Sequence, residues 1–321
     1  MNSIIYAVST DPYYNLALEE TLFETQEGVC LYLWQNKNTV VIGRNQNAWK
    51  ECRIDMLEAD GGRLARRSSG GGAVFHDMGN LNFTFIAPLE IYDVKRQLGV
   101  IISAVNSLGI AAGFTGRNDI VTESGAKFSG NAFKKSKTTG LHHGTLLVNV
   151  DMASLGKYLV PSPAKLAAKG IDSVRSRVAN LTEYRPTLTI DMLKDAVVRS
   201  FVLEYGNCST ICESSLDQDI LAKKAANYSS WEWNKGASPA FDLSLSNRFP
   251  WGEIELELSL IDGRITHVQP WSDAMDESLI LALPAALTGC RLNNMDMARA
   301  VSALGGQDAE DLSRWLGTVS I

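Results

Sequence analysis

The sequence predicts a mixed α+β protein in two parts: a large unit over residues 1–246 and a small α+β unit over residues 247–321. Three observations predict it. Short β-rich runs alternate with helical stretches through most of the chain. A run of three glycines, Gly70, Gly71 and Gly72, joins one strand to the next instead of opening a helix. Beyond Phe249-Pro250-Trp251-Gly252 the texture changes to one alternating hairpin followed by three helical segments.

In chain order, Asp11-Pro12 starts a helix, because Asp can cap the free amides and Pro suits the first turn. Leu16, Leu18, Leu22 and Phe23 form its apolar pattern. Val29 to Trp34 and Thr39 to Ile42 read as strands around a Gln35-Asn36-Lys37-Asn38 turn, and Arg53 to Asp60 as a short helix ended by Gly61-Gly62. After the glycines, Leu81, Phe83 and Phe85 alternate as a strand does, and Asp93 to Leu108 is an amphipathic helix. Ala126 to Phe133 and Leu141 to Val150 read as a hairpin around the basic turn Lys134-Lys135-Ser136-Lys137. Asp151 to Tyr205 is helical with proline breaks; Trp231 to Asn234 and Phe241 to Leu245 read as strands. Phe249 to Gly252 pairs a stiff proline with a permissive glycine, which suggests a hinge. Ile254, Leu256, Leu258 and Leu260 alternate with polar residues, and Asp262-Gly263 is a two-residue hairpin turn.

The composition, 45% hydrophobic and 21% charged, is that of a soluble globular protein, and the net charge of −6 argues against a dedicated nucleic-acid binder. No stretch approaches the roughly 20 apolar residues of a membrane helix, and the N-terminal residues lack the pattern of a secretory leader. Five scattered cysteines (Cys30, Cys52, Cys208, Cys212, Cys290) suit reduced thiols in the cytoplasm. Cys208 and Cys212 could share a helix face, but nothing joins them as further metal ligands.

Three adjacent glycines cost more backbone entropy than any other residues, so something there needs bare backbone. Arg66 and Arg67 before them, and His76-Asp77 after, point to an anion. A Walker loop is excluded because no Lys follows Gly72, and a dinucleotide fingerprint because no helix follows. Two more polar islands stand at strand ends: Gly116-Arg117-Asn118-Asp119 and Lys127-Phe128-Ser129-Gly130. A lysine facing the buried side of a strand needs a negative partner. Arg67, Lys127 and bare amides together suit activation of a carboxylate by a nucleoside triphosphate, in which charge grows on the α-phosphoryl group and on departing diphosphate. Asp119 is then the natural hard ligand for Mg²⁺. His76 or His143 could orient the carboxylate or simply be packed, and Trp34 could line an apolar pocket or the core.

The segments RRSSGGGAVFHDMGNLNFTF, GRNDIV, K-x-SGNAF and HHGTLLVN stand in this order, followed by GIDSVRSRVANLTE at 170–183. The series resembles the signature of bacterial lipoate–protein ligase A, with a likeness running from about Asp11 to Phe249. The resemblance implies a catalytic domain like that of biotin and lipoate ligases, with mixed β-sheets flanked by helices, and a small C-terminal domain. It implies that ATP and lipoate form lipoyl-adenylate. The lipoyl group then passes to a lysine on lipoyl domains of 2-oxoacid dehydrogenase E2 subunits or on the glycine-cleavage H protein. It assigns Lys127 to catalysis. Arg67, Gly72, Ala73, Val74, Phe75, Asn118, Asp119 and Lys127 would hold the nucleotide. Leu18, Glu20, Trp34, Arg67, Ser69, His76, Lys127, Ser129, Ala132 and His143 would line the lipoate end. It also implies ATP and Mg²⁺ as requirements and a monomer. A related biotin ligase would carry a Gly-Arg-Gly-Arg loop, and an acyl transferase of this fold a cysteine nucleophile; neither stands in the motif region.

Overall fold

The computed structural model describes residues 1–115, 119–160, 178–235 and 242–319. An eight-stranded mixed sheet forms the centre of the large part. Its strands are β1 (Asn2–Tyr6), β2 (Cys30–Trp34), β6 (Asn80–Pro88), β7 (Ala112–Thr115), β8 (Asp119–Thr122), β9 (Lys127–Lys135), β10 (Thr139–Leu147) and β11 (Cys208–Thr210). They lie in the order β11-β1-β2-β6-β10-β9-β8-β7, parallel across β11, β1 and β2 and antiparallel thereafter. A second, three-stranded sheet is built from β3 (Thr39–Ile42), β4 (Arg63–Arg66) and β5 (Val74–His76), with β3 central. The triple glycine therefore does join strand to strand, from β4 to β5.

Strand periodicity divides the large sheet into two faces. Leu31 and Leu33 of β2, Leu81, Phe83 and Phe85 of β6, and Leu146 of β10 pack into one core, beneath helices Val94–Ser107 and Ile190–Tyr205. Cys30, Tyr32 and Trp34 with Ile86 and Leu141 face the opposite way, toward helix α1 (Pro12–Thr25) and the small β3–β5 sheet. Asp11 caps α1 as expected, accepting from the amides of Tyr13 and Tyr14. Asp93 caps the helix that follows β6 in the same way, through Lys95 and Arg96. The β9–β10 hairpin turns at residues 136–139, so of the expected basic turn Lys137 is in the loop while Lys134 and Lys135 end β9, paired with Leu141 and Gly140.

Two expectations are corrected here. Trp231–Asn234 is a helical turn, not a strand. Ser230 caps it, and Trp233 is held by an edge-to-face contact with Tyr228 and by a bond from its Nε1 to the Arg66 carbonyl. Cys208 lies in edge strand β11 and Cys212 in the turn after it, so they share no helix face.

The small part is a three-stranded antiparallel sheet, β12 (Leu243–Phe249), β13 (Gly252–Ile261) and β14 (Arg264–Ser272), covered by helices Ser278–Leu287, Asn294–Ser302 and Gln307–Leu316. The Asp262-Gly263 turn adopts positive φ at both positions, as a two-residue hairpin requires. Strand β12 extends back across the expected division at 246/247, and Phe249 pairs with Gly252. The Phe249-Pro250-Trp251-Gly252 segment is thus the turn of a hairpin inside the small sheet, not a hinge between units.

Candidate functional site

Arg66 and Arg67 are both buried, and both spend their guanidinium protons on backbone carbonyls. Arg66 reaches outward, donating to the carbonyls of Gly43, Arg44 and Gln46 and to those of Trp233 and Asn234. It ties the loop after β3 to the helical turn at 231–234. Arg67 curls over the glycine loop instead. Its Nη2 donates to the carbonyls of Gly70 (2.6 Å) and Gly72 (2.8 Å), and its Nε to the Ser69 hydroxyl. Burial lowers the pKa of each to about 10, so both stay charged at neutral pH.

Arg67 also sets the direction of the loop amides. In a planar trans peptide, C=O and N–H point opposite ways. With the Gly70 and Gly72 carbonyls turned to Arg67, the N–H groups of Gly71 and Ala73 turn away from it. The Gly71 amide donates to the carbonyl of Ala274, in the small part, at 2.9 Å. Gly72 and Ala73 line a cleft, and no acceptor among the described residues meets either amide. The glycines have a second cause that the sequence does not reveal. A Cβ on Gly70 would stand 2.3 Å from the Ala274 carbonyl oxygen, and Gly71 has φ +88°. Bare backbone is needed because the small part packs directly on this loop. Ser272 N–H to Asn45 O (2.6 Å) and the Lys50–Glu255 ion pair (2.6 Å) continue that contact.

The cleft has a volume of about 140 Å³. Of the expected site residues, Trp34, Arg67, Gly72, Ala73, Val74, His76, Lys127, Ala132 and His143 line it. Lys127 forms an ion pair with Asp119 at 2.7 Å. Ser69 stands behind the wall, with its hydroxyl 2.7 Å from His143 Nε2. Ser129 is buried off the lining, bonded by Asn131. The Phe75 ring points away, against Tyr158. Asn118 lies outside the described residues. Leu18 and Glu20 do not line the cleft. The α1 residues on that side are Leu16, in the lining, and Glu19, whose carboxylate accepts from Thr84 Oγ1 (2.6 Å) and bonds His143 Nδ1 (2.8 Å). Glu20 sits at the edge, 3.8 Å from Lys134. Burial pulls the Glu19 pKa up, but His143, then Thr84 and Lys134, outweigh it and hold the carboxyl below its usual value.

Val41, Asn82, Gly130, Asn131, Gly144, Thr145 and Met275 complete the lining without having been assigned to the site. Asn82 and Thr84 had a readable signal: they alternate with Phe83 and Phe85 on a buried strand, so one of its faces is polar. Met275 had none, because it comes from the small part.

A bulge delivers Lys127 to the cleft. Ile120 pairs with Ser129 and Asp119 with Gly130, but the next partner of β8, Val121, meets Lys127. Strict alternation would group Lys127 with Ser129 and put Phe128 beside Gly130. The shift sends Phe128 into the apolar core and regroups Lys127 with Gly130 and Ala132.

No cysteine lines the cleft. Cys30 and Cys52 are buried and their thiols are pushed up to about 12 by loss of solvent. Among the described residues no three of His, Cys, Asp and Glu gather as a metal site, and no helix is long and apolar enough to cross a membrane.

The chain is similar to known proteins over most of its length. Residues 11–202 match the model of the lipoyl protein ligase A/B catalytic domain, and residues 238–316 that of the bacterial lipoate protein ligase C-terminus. Among solved structures, P. falciparum LipL1 in complex with lipoate is 27% identical over 99% of both chains, with a TM-score of 0.88. The archaeal bipartite ligase from T. acidophilum, described with its E2 lipoyl domain, is 27% identical (TM-score 0.66) over 75% of this chain and 99% of its own. A lipoate–protein ligase A bound with ATP is 26% identical (TM-score 0.63) over 74% of this chain and 99% of its own. A cleft walled by Trp34, His76 and His143, with Lys127 and the bare amides of the glycine loop at one side, is thus carried on a chain that belongs to the lipoate–protein ligase family.

Proposed function

We propose that this ligase acts as a lipoate–protein ligase A: it activates free lipoate with ATP and transfers the lipoyl group to a lysine of an acceptor protein. The observation that carries the reading is the pairing of Lys127 with acceptor-free amides at Gly72 and Ala73, on an otherwise largely apolar cleft. Such donors suit an anion, and the apolar walls suit an acyl chain.

In the first step the lipoate carboxylate attacks the α-phosphorus, the bond to the bridging oxygen breaks, and diphosphate leaves. Lys127 bridges the carboxylate and the α-phosphate, and neutralises charge as it develops there. The Ala73 amide and its neighbour Gly72 hold phosphate oxygens, and Arg67 keeps those amides aimed. In the second step the acceptor amine attacks the acyl carbon, loses its proton, and AMP departs. Mg²⁺ arrives with the triphosphate as part of the substrate. The Asp119 carboxylate, beside Lys127, is the residue suited to meet it, and a fixed cage is not needed. The five thiols have no part.

The acceptors we propose are the lipoyl domains of 2-oxoacid dehydrogenase E2 subunits and the glycine-cleavage H protein, met by a monomeric cytoplasmic enzyme. The test combines enzyme, lipoate and an unmodified lipoyl domain, with and without Mg²⁺-ATP, and weighs the domain by mass spectrometry. One lipoyl group should be added only with ATP, with AMP and diphosphate released. Modification without nucleotide would overturn the mechanism.

A further inference from the structure

We infer that Ser69, His143 and Glu19 are positioning residues for the nucleotide half of the reaction: in series they anchor the glycine loop, with Arg67 and its phosphate-facing amides, to the large sheet that carries Lys127. The inference rests on the ligase reading above and deepens it. The family resemblance implies that Ser69 and His143 line the lipoate end; their hydrogen bonds give them a different task.

The direction of each bond in the row follows from its partners. Arg67 Nε can only donate, so Ser69 Oγ accepts from it at 3.1 Å, sharing the proton with the Gly70 carbonyl. The Ser69 hydroxyl is fully buried, and among the described residues the acceptor that meets its own proton is His143 Nε2, at 2.7 Å. Nε2 therefore carries no proton. The ring keeps its hydrogen on Nδ1, which donates to Glu19 Oε1 at 2.8 Å. The same oxygen accepts from Thr84 Oγ1 at 2.6 Å, and Thr84 accepts in turn from Trp34 Nε1 at 3.0 Å. Donors converge on Glu19 from both sides.

Both ring nitrogens of His143 are thus spent inside the protein. The ring lines the cleft but has no polar atom left for a substrate, so it does not orient the carboxylate. Nor does the Ser-His-Glu order make a nucleophile: Ser69 stands off the lining, and its oxygen is engaged by a cation.

What the row holds is the loop. The Nη2 acceptors of Arg67, the Gly70 and Gly72 carbonyls, belong to the loop itself, so they set its shape and not its place. Its place is fixed from outside. Arg67 N–H to Ile42 O (3.0 Å) and Arg44 N–H to Ser69 O (2.8 Å) tie it to β3 and the turn after it, and Gly71 N–H to Ala274 O ties it to the small part. Ser69 Oγ ties it to His143 on β10, the strand paired with β9, where Lys127 stands. Lys127 and the loop amides must meet one phosphate, so the bond between loop and sheet sets their spacing. Preorganised donors lose their effect when displaced by as little as about 1 Å.

The experiment is calorimetric titration of the full chain with Mg²⁺-ATP and, separately, with lipoate, for the parent and Ser69→Ala. Ser69→Ala should bind ATP about tenfold more weakly while its affinity for lipoate stays within about twofold of the parent. Glu19→Leu, which removes the Nδ1 acceptor, should shift binding the same way, and Glu19→Gln, which keeps it, should recover most of the loss. Lipoate weakened as much as ATP, or ATP binding unchanged in Ser69→Ala, would overturn the inference. A parent that binds neither ATP nor lipoate would overturn the ligase reading and the inference with it, whereas failure of the row alone leaves the parent binding both. If the variants do not fold, ¹⁵N imidazole spectra of the parent decide. An Nδ1–H tautomer of His143 that persists with ATP bound supports the inference, and an Nε2–H tautomer refutes it.

Discussion

His142 and His143 are adjacent in the chain and lie on opposite faces of one sheet. His142 is sunk in the apolar face among Phe83, Phe85 and Phe133, with only Gln97 and Asn131 for polar company. His143 joins the cleft face, where Glu19, Ser69 and Thr84 form one bonded row with it. The apolar face is held by burial, which is non-directional and tolerant of volume-conserving change. The cleft face buries polar groups that are costly unless each partner is in place. The lesson is that the same depth of burial serves stability on one face and positioning on the other.

The sharpest way to break the comparison is Glu19→Ala. Removing one partner of a buried, hydrogen-bonded pair should cost about 3–5 kcal/mol, and it strips His143 of its orienting group. Urea unfolding should show the loss; a change below about 1 kcal/mol would mean the polar row is not cohesive. Lys127→Ala should do the reverse. The side chain is about one-third exposed, so stability should stay within about 0.5 kcal/mol while adenylation falls roughly a hundredfold or more. Diphosphate release is the measurement, and turnover within about threefold of the parent would remove Lys127 from the mechanism.

Acid joins the two faces. His76 and His142 both have folded pKa values near 3, lowered chiefly by burial from the ordinary 6.5. Below about pH 6.5 the unfolded chain takes up protons that the folded one refuses. Each histidine should then remove up to about 1.4 kcal/mol of stability per pH unit down to about pH 3. Glu19, held low, adds to the loss as its carboxylate protonates. The slope of unfolding free energy against pH should fall by close to one proton in His142→Gln, and an unchanged slope would show that this ring is not excluded from protonation. The smallest effect is expected outside both faces, at the basic hairpin turn. Lys135 and Lys137 are exposed, and reversing both charges should raise the KM for an acidic lipoyl domain a few-fold at low salt while leaving lipoate activation alone. No change in acceptor dependence would exclude this turn from docking.

Much of this was legible before any tertiary contact. Helix α1 begins where Asp11-Pro12 says it must, because capping and proline geometry act within one turn. The alternation of Leu81, Phe83 and Phe85 against Asn82 and Thr84 separates two faces of one strand, because strand period is a property of the backbone. The three glycines announce a loop with bare backbone, and Lys127 stands out as a charge in an apolar strand.

What the sequence by itself determined, then, is where elements begin, which residues share a face within an element, and which loop carries unusual backbone. The tertiary structure decided the rest. It chose Leu16 and Glu19 over Leu18 and Glu20, since only docking of α1 fixes which side of the helix meets the cleft. It turned Trp231–Asn234 into a helical turn and brought Met275 and the Ala274 carbonyl onto the glycine loop. It placed a register shift opposite Val121 that takes Phe128 out of the cleft and puts Lys127 in. The physical reason is common to all four. Local pattern is set by neighbours in the chain, whereas helix rotation, strand register and the approach of one unit to another are set by partners many residues away.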